Sequence, residues 1–280
     1  MAFLMPISNE RWLSGEQKEG KGVEDMAYVI SIVNQKGGVG KTTTTVNLAA
    51  YLAEKRKKTL VIDMDPQGNA TSAFGIDKMS LESTIYDVLV NEIEMGQVIL
   101  KERKKNLDVC PTNINLAGAE IELVSAMSRE TILSRAIQSV LSEYAYILID
   151  CPPSLSLLTL NALTSSNGLI VPIQGEYYAL EGVTQLMDTI NLVKRHLNPD
   201  LSIFGVVVTM FDSRTQLAKQ VTAEVREYFD EKVFRTVIPR NIRLAEAPSY
   251  GKTIAEFDPR SKGGRAYKDL AIEVIKRTAE

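Results

Sequence analysis

The residues best equipped for chemistry stand in one string, Asn34-Gln35-Lys36-Gly37-Gly38-Val39-Gly40-Lys41-Thr42-Thr43. Two ammonium groups, Lys36 and Lys41, flank three glycines, and two hydroxyls follow. That set suits the holding of nucleotide phosphates. Glycines let successive backbone N–H groups turn inward, and a following helix adds the partial positive charge of its N-terminus. Lys41 would reach the β- and γ-phosphates and the Thr42 hydroxyl would take Mg²⁺, with Gly37, Gly38, Val39, Gly40 and Thr43 completing the cradle. Lys36 is surplus to such a loop, because the usual G-x-x-x-x-G-K-[ST] template asks for glycine where Gln35 stands. A second cation beside a positive cradle implies a further negative charge to meet.

Three carboxylates are candidates to act with this loop. Asp150 closes the apolar run Tyr146–Ile149 and precedes Cys151-Pro152-Pro153, a position suited to accepting from Mg²⁺-bound water. Asp63 and Asp65 lie two apart, so an extended strand would point both to one side. Attack on a γ-phosphate needs an oriented water and a nearby acceptor, and no Gln or Glu is better placed along the chain.

The elements that must position these groups show in the apolar pattern. Tyr28–Val33 reads as a buried strand entering the loop, and Thr44–Ala53 as the helix leaving it. Further strands are expected at Thr59–Asp63, Leu107–Cys110, Tyr146–Asp150, Gly168–Ile173, Ile203–Thr209 and Val237–Ile238. Helices are expected over much of 71–105, then at Arg129–Ser142, Leu155–Ala162, a segment carrying Val183, Leu186, Met187, Ile190 and Val193, Leu217–Phe229 and Gly264–Thr278. Strands alternating with helices imply right-handed crossovers: an α/β, doubly wound, mostly parallel sheet with helices on both faces. Ligands in such sheets bind beyond the carboxyl ends of the strands, where the loop, Asp65 and Asp150 fall. Residues 26–280 read as one P-loop ATPase domain. Residues 1–25 are polar and aperiodic, a disordered extension that would lie upstream of a translation start at Met26.

The string Lys36–Thr42 resembles the deviant Walker A motif of the ParA/MinD ATPases. Asp63-Met64-Asp65-Pro66-Gln67-Gly68-Asn69 is similar to the Walker A′ motif of the ParA branch. Asn113–Leu123, Gln174–Gly182 and Ile238–Lys252 look like the chromosomal ParA (Soj) subgroup, so the likeness runs from Met26 to the last helix. The resemblance implies that Lys36 crosses to the partner's nucleotide in an ATP-bound homodimer, and that Asp65 positions the attacking water. Asp63 then supports the Mg²⁺ shell with Thr42 and Asp150, so that Lys36, Lys41 and Asp65 form the catalytic set. It further implies that backbone at Met210, Pro239 and Arg240 holds the base of ATP or ADP. Arg214 and Arg243 match DNA-contacting arginines of the subgroup. The implied function is chromosome or plasmid segregation. The ATP dimer would bind nucleoid DNA without sequence preference, and hydrolysis stimulated by a ParB-type partner would release it. The implied setting is cytoplasmic and nucleoid-associated.

Composition narrows the alternatives. The chain has 280 residues and a net charge of −3, so any DNA contact must be a local patch. Residues 212–280 hold 14 Lys and Arg against 11 Asp and Glu, a weak local excess. Two cysteines, Cys110 and Cys151, lack the spacing of a zinc site or a disulfide scaffold and the surroundings of a dimer-face Fe–S cluster. The single histidine, His196, closes a helix, which disfavours catalysis built on a His base. No apolar run reaches the ~18 residues of a membrane span. A MinD-like membrane-associated positioning ATPase is the alternative, and it would need a basic amphipathic helix at the end of the chain. There, Asp269 and Glu273 interrupt the pattern, so no membrane partner is expected.

Overall fold

Apolar residues run almost unbroken through the central strands because both faces of the sheet are covered. In the computed structural model, which describes residues 26–176 and 181–279, the strands are β1 (Tyr28–Ile32), β2 (Thr59–Asp63), β3 (Leu100–Lys104), β4 (Leu107–Cys110), β5 (Tyr146–Asp150), β6 (Gly168–Gln174) and β7 (Ser202–Thr209). They form one sheet in the order β3-β4-β2-β5-β1-β6-β7, parallel except for the antiparallel edge strand β3. Alternate residues feed two cores. Leu60 and Ile62 of β2 and Ile147 and Ile149 of β5 enter one, while Val61 and Leu148 enter the other. This doubly wound α/β arrangement is the one the alternating pattern implies.

Helix α1 (Lys41–Glu54) follows the glycine-rich loop and packs against the last helix, here α12 (Lys262–Arg277). The Ser261 hydroxyl starts α12 by accepting from Gly264 N at 3.0 Å. Its Tyr267, Leu270 and Val274 are fully buried, which contributes roughly 5 kcal/mol or more. Tyr267 also shares a 3.1 Å hydrogen bond with Thr44 of α1. The apolar face that a surface-seeking helix would offer a bilayer is thus turned onto α1. No helix among the described residues is long and apolar enough to cross a membrane.

Several local expectations change. The stretch 71–105 is not mostly helical: it holds the short helices α2 (Asn69–Ala73), α3 (Ile85–Val90) and α4 (Met95–Val98) and ends in β3. Strand β3, Leu-Lys-Glu-Arg-Lys, is open to solvent on an outer edge, so it lacks the apolar alternation that marks a strand. Between α5 (Leu116–Glu122) and β5, the helix expected over 129–142 shortens to α6 (Ile132–Ile137), with 3₁₀ turns on either side. Val237–Ile238 is no strand. Ile238 N donates to Val208 O at 2.8 Å, and only an isolated bridge forms, between Phe211 and Pro239. The expected helices at 155–162, 183–193 and 217–229 appear as α7 (Leu157–Thr164), α8 (Glu181–His196) and α9 (Gln216–Phe229). Two short helices precede α12: α10 (Ile242–Glu246) and α11 (Ile254–Phe257). The amino-terminal stretch 1–25 and residues 177–180 of the Gln174–Gly182 string lie outside the described residues.

Candidate active site

The loop between β1 and α1 is shaped by its glycines and anchored by its neighbours. Gly38 and Gly40 have φ of 74° and 90°, a region where a side chain is strained. A Cβ on Gly37 or Gly38 would meet nothing within 4 Å, so the inner rim of the loop is open. Asn34 anchors its start: Nδ2 donates to Pro172 O of β6 at 2.7 Å, and Oδ1 accepts from Lys36 N at 3.0 Å. Thr209, at the end of β7, donates to Val39 O at 2.8 Å and fixes the far side. The first turn of α1 carries no acidic residue and no side-chain cap, so its positive end is left for an anion. Lys41 begins that turn, buried, with Nζ donating to Lys36 O at 3.2 Å. Burial lowers its pKa, against the opposing pull of Asp150, Cys151 and Asp65.

The carboxylates meet because β2 lies beside β5 with Asp63 and Asp150 in register. Both are fully buried. The hydroxyls of Thr42 and Thr45 donate to the two oxygens of Asp150 at 2.7 and 2.9 Å. Asp63 accepts from Thr71 N and Thr71 Oγ1 at 2.8 and 2.7 Å, and from Asp65 N at 3.2 Å. Desolvation pushes both acids above the ordinary carboxylate range, and mutual repulsion adds to the rise at Asp150. Asp65 is also buried, one oxygen accepting from Gln67 N at 3.0 Å. Hydroxyl and carboxylate oxygens gathered at a helix N-terminus are hard donors of the kind Mg²⁺ takes. Among the described residues no group of three or more His, Cys, Asp or Glu side chains is arranged to hold a metal ion. A Mg²⁺ held by one or two side chains together with substrate phosphates would find such oxygens in Thr42 and Asp150.

Beside the loop a cleft of about 390 Å³ is lined by Gly40 and Thr43 on one side and Met210, Pro239 and Arg240 on the other. The three residues expected at the base of the nucleotide are therefore brought together with the phosphate loop. Met210 turns the chain with φ 50°, and the exchange of Phe211 N to Ile238 O at 3.0 Å and Arg240 N to Phe211 O at 3.1 Å holds the two segments side by side.

Three further cations stand apart from the cradle. Lys36 Nζ donates to Glu176 Oε2 at 3.1 Å, and both side chains are partly exposed. Arg214 is 86% exposed and pairs with Asp212 through Nε at 2.9 Å and Nη2 at 2.6 Å. Arg243 donates to Glu246 at 2.9 Å and lies 3.6 Å from Asp258. Sequence reading missed the residues that hold the site in shape: Asn34, Thr45, Thr71, Glu176 and Thr209. Asn34 and Thr209 alone carry a signal, a polar residue closing an apolar run.

Strand, glycine-rich loop and helix, with buried aspartates at the ends of adjacent parallel strands, define a P-loop nucleotide-binding protein. A family model described as AAA domain matches residues 27–203. The sporulation initiation inhibitor protein Soj of Bacillus subtilis (strain 168) is 57% identical, covering 89% of this chain and 98% of its own. The chromosome partitioning protein ParA of Myxococcus xanthus (strain DK1622) is 50% identical, covering 92% and 91%. Among solved structures, cobyrinic acid a,c-diamide synthase from Mycobacterium smegmatis with bound ADP and magnesium aligns with a TM-score of 0.80. It is 35% identical, over 91% of this chain and 96% of that one. The chain belongs to the ParA/Soj family of chromosome-partitioning ATPases.

Proposed function

We propose that this chain is an ATP-timed switch for DNA segregation. The loop and Lys41 hold the phosphates of ATP, with the base against Met210, Pro239 and Arg240. Mg²⁺, when bound, would neutralise phosphate charge and order water. Thr42 and Asp150 would hold it, with Asp63 in register beside Asp150 supporting that charge. Asp65 orients the water that attacks the γ-phosphate. Lys36 meets the nucleotide of a second copy, so that ATP joins two subunits. Arg214 and Arg243 then contact duplex phosphates without reading base sequence, because arginines facing the backbone position a protein but do not specify a site. A ParB-type partner would speed hydrolysis and so time the release from DNA. A cytoplasmic, nucleoid-associated location follows from that reading.

One observation carries it. Lys41 is buried and donates within the loop to Lys36 O, whereas the Lys36 side chain is partly exposed and paired with Glu176. A cation that its own cradle does not use is available to another subunit. Sedimentation of the protein with ADP, with ATP, and with ATP plus DNA tests this. The expected result is a monomer with ADP, a dimer with ATP, and DNA carried only by the ATP form of the Asp65→Ala variant or the parent. ATP-independent dimers, or monomers throughout, would overturn it.

A further inference from the structure

The turn that carries Asp65 is fixed at both ends. Asp65, Pro66, Gln67 and Gly68 link β2 to α2, and Gly68 N closes the turn by donating to Asp65 O at 2.8 Å. At its start, Asp65 N donates to the buried Asp63 carboxylate at 3.2 Å. Asp65 Oδ1 accepts from Gln67 N at 3.0 Å, which ties the direction of the carboxylate to the backbone at Gln67. That backbone is held in turn by Lys78, whose Nζ donates to Gln67 O at 2.7 Å. Among the described residues, no other side chain from beyond α2 bonds to this turn.

The local sequence delivers the lysine to that carbonyl. Lys78 opens a 3₁₀ turn, Lys78–Ser80, which Asp77 starts by accepting from Met79 N at 3.0 Å. Buried Ile76 pins the chain just before it. The Lys78 stem then lies across Gly68. A Cβ on Gly68 would stand 2.5 Å from Lys78 Cδ and 3.2 Å from Thr112 O, and the residue has φ 61°. Glycine at 68 therefore serves the turn and leaves room for the lysine.

Three blander explanations fall short. Gln67 is exposed, so water could satisfy its carbonyl without a cation. Stabilising α2 has the wrong sign, because Gly68 is its N-cap and the helix dipole disfavours positive charge there. Lys78 also makes no ion pair among the described residues, so it is not placed by a carboxylate.

We infer that Lys78 is a positioning residue for hydrolysis: by holding Gln67 O it keeps the Asp65 carboxylate aimed at the attacking water. The inference rests on the water-orienting role proposed for Asp65 above. Lys78 acts through the turn and not on the nucleotide. Without its ammonium the turn still closes, through Gly68 N and Asp63, but the carboxylate is free to sample more directions. Nucleotide binding belongs to the loop between β1 and α1 and is left intact. Loss of aim slows the chemical step, where small misplacements are expensive, without weakening the bound state.

The test compares the parent with Lys78→Met, Lys78→Arg, Asp65→Ala and the double variant Asp65→Ala, Lys78→Met, all with Mg²⁺ and ATP. Methionine keeps an unbranched stem over Gly68 and removes the donor. Lys78→Met should hydrolyse ATP roughly tenfold more slowly in a single turnover, with ATP affinity and melting temperature at the parent's values. Lys78→Arg restores a charged donor and should recover most of the lost rate. In the Asp65→Ala background Lys78→Met should slow hydrolysis no further, because residues acting through one carboxylate are not additive. A parental rate in Lys78→Met would overturn the inference. So would a fall in ATP affinity or melting temperature that accompanies the slower rate, since that marks a general structural role. Arginine no better than methionine would remove the bond to Gln67 O from the explanation, and further slowing in the double variant would show that Lys78 does not act through Asp65. Asp65→Ala alone reports on the underlying reading. If it hydrolyses at the parent's rate that reading fails, whereas a slow Asp65→Ala beside a normal Lys78→Met sinks this inference alone.

Discussion

Lys36 Nζ lies 3.1 Å from the Glu176 carboxylate, across 140 residues of chain and outside its own phosphate loop. An exposed pair of this kind is weak, typically ~0–1 kcal/mol, so a partner's triphosphate can displace it. Lys36→Ala should bind ATP as a monomer and fail to dimerise. Glu176→Gln frees the lysine and should tighten the ATP dimer by no more than about fivefold. Analytical ultracentrifugation over a protein dilution series reads both. ATP dimers of Lys36→Ala at the parent's concentration would remove the lysine from the interface.

Binding and turnover should separate between two other residues. Lys41→Ala loses the buried cation at the phosphates and should lose nucleotide affinity altogether. Asp65→Ala keeps the loop intact and should bind ATP normally while hydrolysing it about 10²-fold or more slowly. Equilibrium nucleotide binding and single-turnover hydrolysis, run side by side, distinguish these outcomes. A turnover rate near the parent's for Asp65→Ala would move the water-positioning role elsewhere.

The buried carboxylates make the nucleotide-free protein sensitive to pH. The pKa of Asp150 is pushed up to about 8 by burial and by Asp63. A folded-state pKa above the unfolded one means that stability present in acid is lost as pH rises, here between about pH 4 and about pH 8. Asp150→Asn removes that charge. Its melting temperature without nucleotide should therefore gain on the parent's as pH rises through this window, while Mg²⁺-dependent ATP binding is lost. A difference in melting temperature that does not change with pH would contradict the burial argument.

The two arginines proposed at DNA are already engaged, Arg214 with Asp212 and Arg243 with Glu246. In the ATP-bound Asp65→Ala background, Arg214→Ala or Arg243→Ala should weaken DNA binding for all sequences alike. Each should flatten the salt slope by ~1 or more, since a dimer supplies two copies. Asp212→Asn should instead raise affinity, up to about fivefold, by releasing Arg214. Filter binding against salt decides the matter. Unchanged slopes in both arginine variants would leave these side chains as ordinary solvated charges.

What the chain declares by itself is local. The loop string needs no partner to be read, because glycines, Lys41 and Thr42 lie within one turn of each other, between an apolar run and a helical one. Asp63 and Asp150 show as acids ending buried strands, and the period of the flanking residues implies the covered sheet. Strand β3 stayed hidden because an edge strand in solvent carries no apolar alternation. The remaining facts depend on which strands are neighbours. Only the β2–β5 pairing sets Asp63 against Asp150, and the burial that raises both pKa values comes from the elements folded over them. Only the end of β7, beside Gly40, brings Met210, Pro239 and Arg240 to the phosphate loop. Period and composition report on a residue's immediate neighbours along the chain, whereas charge and shape at a site sum over neighbours in space, and folding alone chooses those.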